Sequence, residues 1–193
     1  SATVTPSTLA LLDKSTATLM PRQRRSNKEF FEDGQSGQSS TTAQSYDTLG
    51  NVVSFEEGGT GVEAVSALIG YASCPSSYVM GAANSIIVTA NGQQLRRREG
   101  QIDCATGKLS SQSAWVTASQ SADTLFTWDE YGNLKTIEGA RNQQGQRLKL
   151  SYGYDAETQS QPVLIRNESY GLSSSATYDS RWAKPLSTVD TNG

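Results

Sequence analysis

The stretch Leu125–Gly139, LFTWDEYGNLKTIEG, leaves a chain few choices of fold. An apolar and aromatic run (Leu125, Phe126, Trp128) stops at Asp129. Gly132 and Asn133 follow, and Leu134-Lys135-Thr136-Ile137 alternates again. Two short alternating runs around a glycine-bearing break read as strand, tight turn, strand. Side chains on a strand point alternately to its two faces, so Trp128 is expected to cover one face of a neighbouring hairpin and to be buried there.

Similar units fill most of the chain. Residues 1–20 carry short apolar groups, Thr3-Val4 and Leu9–Leu12, and are expected to hold one or more N-terminal strands. Residues 21–44 are polar and low in complexity, with a basic end (Arg22, Arg24, Arg25, Lys28) and a Gly/Ser/Gln end, and read as a linker or long excursion. From residue 45 to 193 the pattern is regular. Ser45–Phe55 is a strand end, a turn and a strand; Glu56–Gly61 ends it as a loop. Val62–Tyr71, VEAVSALIGY, is the best helix candidate, and its length and composition fit a strand equally. Ser85–Thr89 is β-branched, and Asn91-Gly92 then marks a type I′ hairpin turn. In the return strand Arg96 and Arg98 share one face and Glu99 takes the other. In Arg147–Tyr154, Leu148, Leu150, Tyr152 and Tyr154 lie on one face. About nine strand candidates follow Ser85 at short spacing, which implies an all-β meander of antiparallel hairpins with little helix.

The composition agrees. Apolar residues make up 35% of the 193, low for a helical core and suited to hairpins with a wet face. A net charge of −3 gives no electrostatic case for a nucleic-acid partner, and no run is long enough to span a bilayer as a helix. With no histidine, a Ser-His-Asp triad and a Cys-His dyad are both absent, and two cysteines cannot close a zinc site. Gly58–Gly61 lacks the lysine of a phosphate-binding loop. Neighbouring carboxylates such as Glu56-Glu57 point to opposite strand faces, so neither they nor Asp129-Glu130 form an acid/base pair. No catalytic, cofactor-binding or metal-binding residue is assigned, and the expectation is a protein that is not an enzyme. Cys74 and Cys104 are either thiols or a disulfide; both lie beside turn formers. Trp115 and Trp182 fit stacking on a sugar as well as hairpin-on-hairpin packing. The chain is expected to be a piece of a longer polypeptide, with any targeting signal outside it.

Four aromatic-Asp pairs recur: Tyr46-Asp47, Trp128-Asp129, Tyr154-Asp155 and Tyr178-Asp179. The first two continue to Gly50-Asn51 and Gly132-Asn133. The aromatic ends a strand, the aspartate accepts backbone N–H groups just ahead of it, and the glycine takes the positive-φ position. The last three pairs stand 26 and 24 residues apart, a period too short to bury its own face, which implies stacked units.

With YDTLGN, WDEYGN, YDAETQ and YDSRWAKPLSTVDTNG as its marks, the chain resembles the YD repeats of bacterial Rhs and wall-associated proteins. SYDTLGNVVSF followed by QLRRREGQIDCATGKL also looks like the B component of insecticidal toxin complexes. The resemblance covers Ser45–Gly193 and departs from the pattern in three ways. Tyr46 and Trp128 are 82 residues apart, so 56–124 holds an insertion or degenerate repeats; Trp128 replaces a tyrosine; and the last two units lack Gly-Asn. The resemblance implies part of an extended, curling β-sheet that forms a shell, in a secreted or cell-surface bacterial protein connected with virulence. Such a shell encloses or presents a C-terminal toxin, and its partners are the rest of the polypeptide, namely further repeats and that toxin domain. The alternative it offers is a carbohydrate-binding or adhesion module that recognises cell-surface glycans.

Overall fold

The computed structural model describes residues 22–33 and 35–193; the strands expected within residues 1–20 lie outside them. The described residues form thirteen strands and a single 3-10 turn at Pro75–Ser77. The protein is all-β. The chain divides into two units, one ending at Glu99 and one covering Gly100–Gly193.

The first unit runs through β1 (Arg25–Glu32), β2 (Gln35–Tyr46), β3 (Val52–Gly59), β4 (Val62–Tyr71), β5 (Ala83–Ala90) and most of β6 (Gln93–Ile102). Each strand is antiparallel to the one before it. Two expectations are corrected here. Residues 21–44 are not a linker, because they supply β1 and most of β2. β2 lies between β1 and β3, so both of its edges are hydrogen-bonded, and its small hydroxyl side chains fit the pleat without an apolar pattern. Val62–Tyr71 is a strand and not a helix: its backbone pairs with β3 on one side and β5 on the other. Gly58 and Gly59 likewise belong to β3, leaving only Thr60-Gly61 for the turn. In β6, Arg97 and Glu99 share a face and form an ion pair at 2.6 Å.

The second unit contains β7 (Leu109–Trp115), β8 (Ser121–Trp128), β9 (Leu134–Arg141), β10 (Arg147–Tyr154), β11 (Pro162–Asn167), β12 (Leu172–Asp179) and β13 (Lys184–Val189). Register makes its two faces unlike. Phe126 lies opposite Ile137, Ile137 opposite Leu150, and Tyr152 opposite Ile165, which builds one apolar face. On the other face the Thr127 and Thr136 hydroxyls meet at 2.6 Å. Glu138 pairs with Lys149 at 3.1 Å there, and the Ser151 hydroxyl donates to Glu168 at 2.6 Å.

Hydrophobic residues that are fully buried number three among the described residues, Ala72, Cys74 and Ala90, all in the first unit. The large apolar side chains of the second unit are half-buried or exposed. Its strands hold together through ladder hydrogen bonds and cross-strand pairs, not through a dense core.

Candidate functional site

The distinguishing local structure is a turn that recurs where aromatic-Asp pairs end a strand. At Asp129, carboxylate Oδ1 accepts the backbone N–H of Tyr131 at 3.0 Å and of Asn133 at 2.8 Å. Oδ2 accepts the Asn133 side-chain amide at 3.1 Å. The Asp129 N–H donates to the Asn133 carbonyl at 2.9 Å, and Gly132 sits at φ 95°, where a β-carbon is strained. Asp47 repeats this arrangement: Oδ1 accepts Leu49 and Asn51 N–H at 2.9 and 2.8 Å, Oδ2 accepts the Asn51 amide at 2.9 Å, and Gly50 has the same φ.

The turns without Gly-Asn solve the same problem with other residues. Asp155 closes a longer loop to Gln161 and accepts N–H groups from Thr158, Ser160 and Gln161, with Gln159 in the positive-φ position. At Asp179 the carboxylate accepts the Arg181 N–H at 2.9 Å, and Ala183 takes positive φ. Two further turns fall between Tyr46 and Trp128. Ile102-Asp103 keeps the aspartate, which accepts the Ala105 N–H at 3.0 Å and the Thr106 hydroxyl at 2.7 Å. Tyr71-Ala72 keeps the aromatic, and the Ala72 N–H closes onto the Ala82 carbonyl at 2.9 Å. With Tyr71 and Ile102 counted, strand ends fall 25, 31, 26, 26 and 24 residues apart. The 56–124 region therefore contains strand-turn units of the same spacing, each lacking half of the sequence mark.

The aromatics tie the open ends of hairpins. Tyr46 Oη donates to the Gln23 carbonyl at 2.8 Å, Tyr71 Oη to Val52 at 2.9 Å, Trp128 Nε1 to Leu109 at 2.8 Å, and Tyr154 Oη to Leu134 at 3.0 Å. Each bond links the last residue of a hairpin's second strand to a residue just before or at the start of its first. Tryptophan can replace tyrosine here because its indole N–H is also a donor at the far end of a flat ring. Trp128 is less buried than expected, at 36% exposure: its ring lies at the sheet surface with the Lys108 ammonium 5.7 Å from the centroid.

These hydrogen bonds favour ionised aspartates. The Asn51 amide, with backbone N–H groups, holds Asp47 below the usual carboxylate range. Backbone N–H groups of Gln161 and Thr158 hold Asp155 far below it. At Asp129 the largest single influence is desolvation, which raises the pKa, and the donors of Asn133, Tyr131 and Gly132 together outweigh it. Desolvation pushes the Tyr154 phenol up, and the nearby Asp129 charge adds to this. Because the folded-state values are depressed, the stabilisation is fully present above the unfolded carboxylate pKa of about 3.9 and is lost as pH falls through the folded values. The thermal midpoint should therefore change little between pH 7 and about 5 and drop below about pH 4. A midpoint that rises on acidification to pH 3, followed by circular dichroism, would contradict these turns.

The remaining residues of interest do not converge. Trp115 is half-buried at the end of β7, and Trp182 is 72% exposed in the turn after β12, with four strands between theirs in the sheet order. Both cysteines are disulfide-bonded and neither is a free thiol; Cys74 lies in the excursion between β4 and β5, and Cys104 in the Asp103 turn. Among the described residues no cluster of three acidic, cysteine or histidine side chains is placed to hold a metal, and no helix is long and apolar enough to cross a membrane. The aromatic ties and the two half-marked turns were missed by sequence reasoning; the period of about 25 residues was the available signal for Tyr71.

Two solved structures align over 89% of the chain. One is TcdB2-TccC3 without its hypervariable C-terminal region, at a TM-score of 0.62 and 17% identity. The other is TcdB2-TccC3-Cdc42, at 0.61 and 16%. This chain has the fold of a part of TcdB2-TccC3. The part is small, since the alignment spans 9% of each of those chains. No family model and no curated protein matches the sequence.

Proposed function

We propose that this chain is a non-catalytic structural segment of a large secreted bacterial YD-repeat protein of the Rhs or toxin-complex kind. Its hairpins form part of a β-shell that encloses or presents a C-terminal toxin. The observation that carries this reading is the alignment of 89% of the chain with TcdB2-TccC3. Two features of the chain support it. The aspartate turns and aromatic ties recur at nearly even spacing, as a sheet extended by repetition requires. The second unit also has an apolar face without a buried core of its own, suited to line an enclosed space.

The test uses the longest natural polypeptide that contains residues 1–193. Incubated with a broad-specificity protease under native conditions, its C-terminal segment should survive, and should be digested once the sheet is opened by acid or denaturant. Digestion of that segment at the same rate in the native and the opened protein would overturn the proposal.

A further inference from the structure

We propose that the asparagine of the Asp-x-x-Gly-Asn turn is a coupling residue, one that latches its own turn to the connection of the next hairpin. The side-chain amide of Asn133 donates twice: to Asp129 Oδ2 at 3.1 Å, within its turn, and to the Gln159 carbonyl at 2.6 Å, 26 residues further along. Asn51 does the same in the other unit. It donates to Asp47 Oδ2 at 2.9 Å and to the Met80 carbonyl at 3.0 Å, 29 residues on. Both partners are acceptors in each case, so only the amino group of the amide can face them, and each of its two N–H bonds has one acceptor.

The receiving connections differ in form. Gln159 lies in the Asp155 loop at positive φ, and Met80 lies in the excursion that follows the 3-10 turn. A shared backbone acceptor explains how one asparagine serves both without any sequence mark on the receiving side. Where the closing residue is not asparagine the onward bond is missing: Gln161 closes the Asp155 turn, and its amide reaches only the Ser160 hydroxyl, at 3.4 Å. The aspartate and glycine are enough to make the turn. Asparagine adds its attachment to the neighbour. Gly-Asn units thus hold the next unit in place, and units without it leave the following one freer.

The test is hydrogen–deuterium exchange on the 193-residue chain with Asn133→Ala, which keeps the backbone N–H that Asp129 binds. Thr158, Ser160 and Gln161 report on the receiving loop, because their N–H groups are held by the Asp155 carboxylate. Their exchange should quicken by about 2- to 10-fold, the range for loss of one hydrogen bond, while β7 and β12 stay as protected as before. Asn51→Ala should do the same to residues 77–82, an independent reading should either variant fold poorly. Gln161→Ala should leave loops beyond its own turn unchanged. Faster exchange confined to 129–133, or spread evenly over the unit, would overturn the latch.

Discussion

Replacing Gly59 with alanine should lower the thermal midpoint by about 10 °C, the largest effect expected from a single methyl group in this chain. Gly59 lies at the end of β3 opposite Ser40. A β-carbon there would run into the Ser39 carbonyl oxygen, with the Ser39 carbonyl carbon at 3.2 Å and Ser40 Cα at 3.3 Å. All three atoms are backbone of the paired strand, so no rotamer change relieves the contact. β2 has to move away, and the bond from the Thr60 N–H to the Ser39 carbonyl, 3.0 Å long, goes with it. The cost is that of overpacking plus a broken ladder bond, about 2–4 kcal/mol. Gly61→Ala is the comparison. Nothing lies within 4 Å of a β-carbon there, and the penalty is only that of φ +70°, about 1 kcal/mol. Thermal melts of both variants by circular dichroism should rank Gly59→Ala well below Gly61→Ala. The reverse order would mean that β2 and β3 are not in this register.

The second large effect belongs to Trp128. Trp128→Ala removes the ring under Lys108 and the indole N–H that holds the Leu109 carbonyl. At 36% exposure the ring is partly wet, so the loss falls below that of a core tryptophan, at about 2–3 kcal/mol. Trp128→Phe separates the contributions. It keeps an aromatic face for Lys108 and loses the donor, which should cost about 1 kcal/mol. Trp128→Tyr, which restores a donor at the ring's far end as Tyr154 has towards Leu134, should recover part of that loss. Denaturant titration gives the three values. Equal stability of the phenylalanine variant and the wild type would show that the tie to Leu109 does not contribute.

The two-strand reading of Leu125–Gly139 needed only local information. Alternation gave the faces of β8 and β9, and the aspartate and glycine gave the turn between them. Arg147–Tyr154 was legible for the same reason. β2 was not, because QSGQSSTTAQSY has no apolar alternation to read; its strand form comes from pairing on both sides. Val62–Tyr71 is apolar enough for either element, and β3 and β5 decide it. Tyr71 escaped notice because Ala72 follows it, and Ile102-Asp103 because an aliphatic residue precedes the aspartate. The onward bond of Asn133 was out of reach in another way: its acceptor is a main-chain carbonyl, which carries no side-chain signature.

The composition pointed to hairpins with a wet face, and the second unit shows the consequence. Leu150 and Ile137 meet across strands, Lys149 and Glu138 meet on the reverse, and neither face is covered by a second layer of this unit. Such a sheet is stable through its ladder and its ends, which is where the aspartate turns and aromatic ties stand. That arrangement suits a wall better than a catalytic pocket.

The most direct measurement is electron cryomicroscopy of the longest natural polypeptide that contains this chain. The account predicts a continuous β-sheet curling around a cavity, with Phe126, Ile137, Leu150 and Tyr152 on its inner face and the Glu138–Lys149 pair outside. A separate globular domain, with those apolar side chains packed under a second layer of structure and no enclosed space, would contradict it.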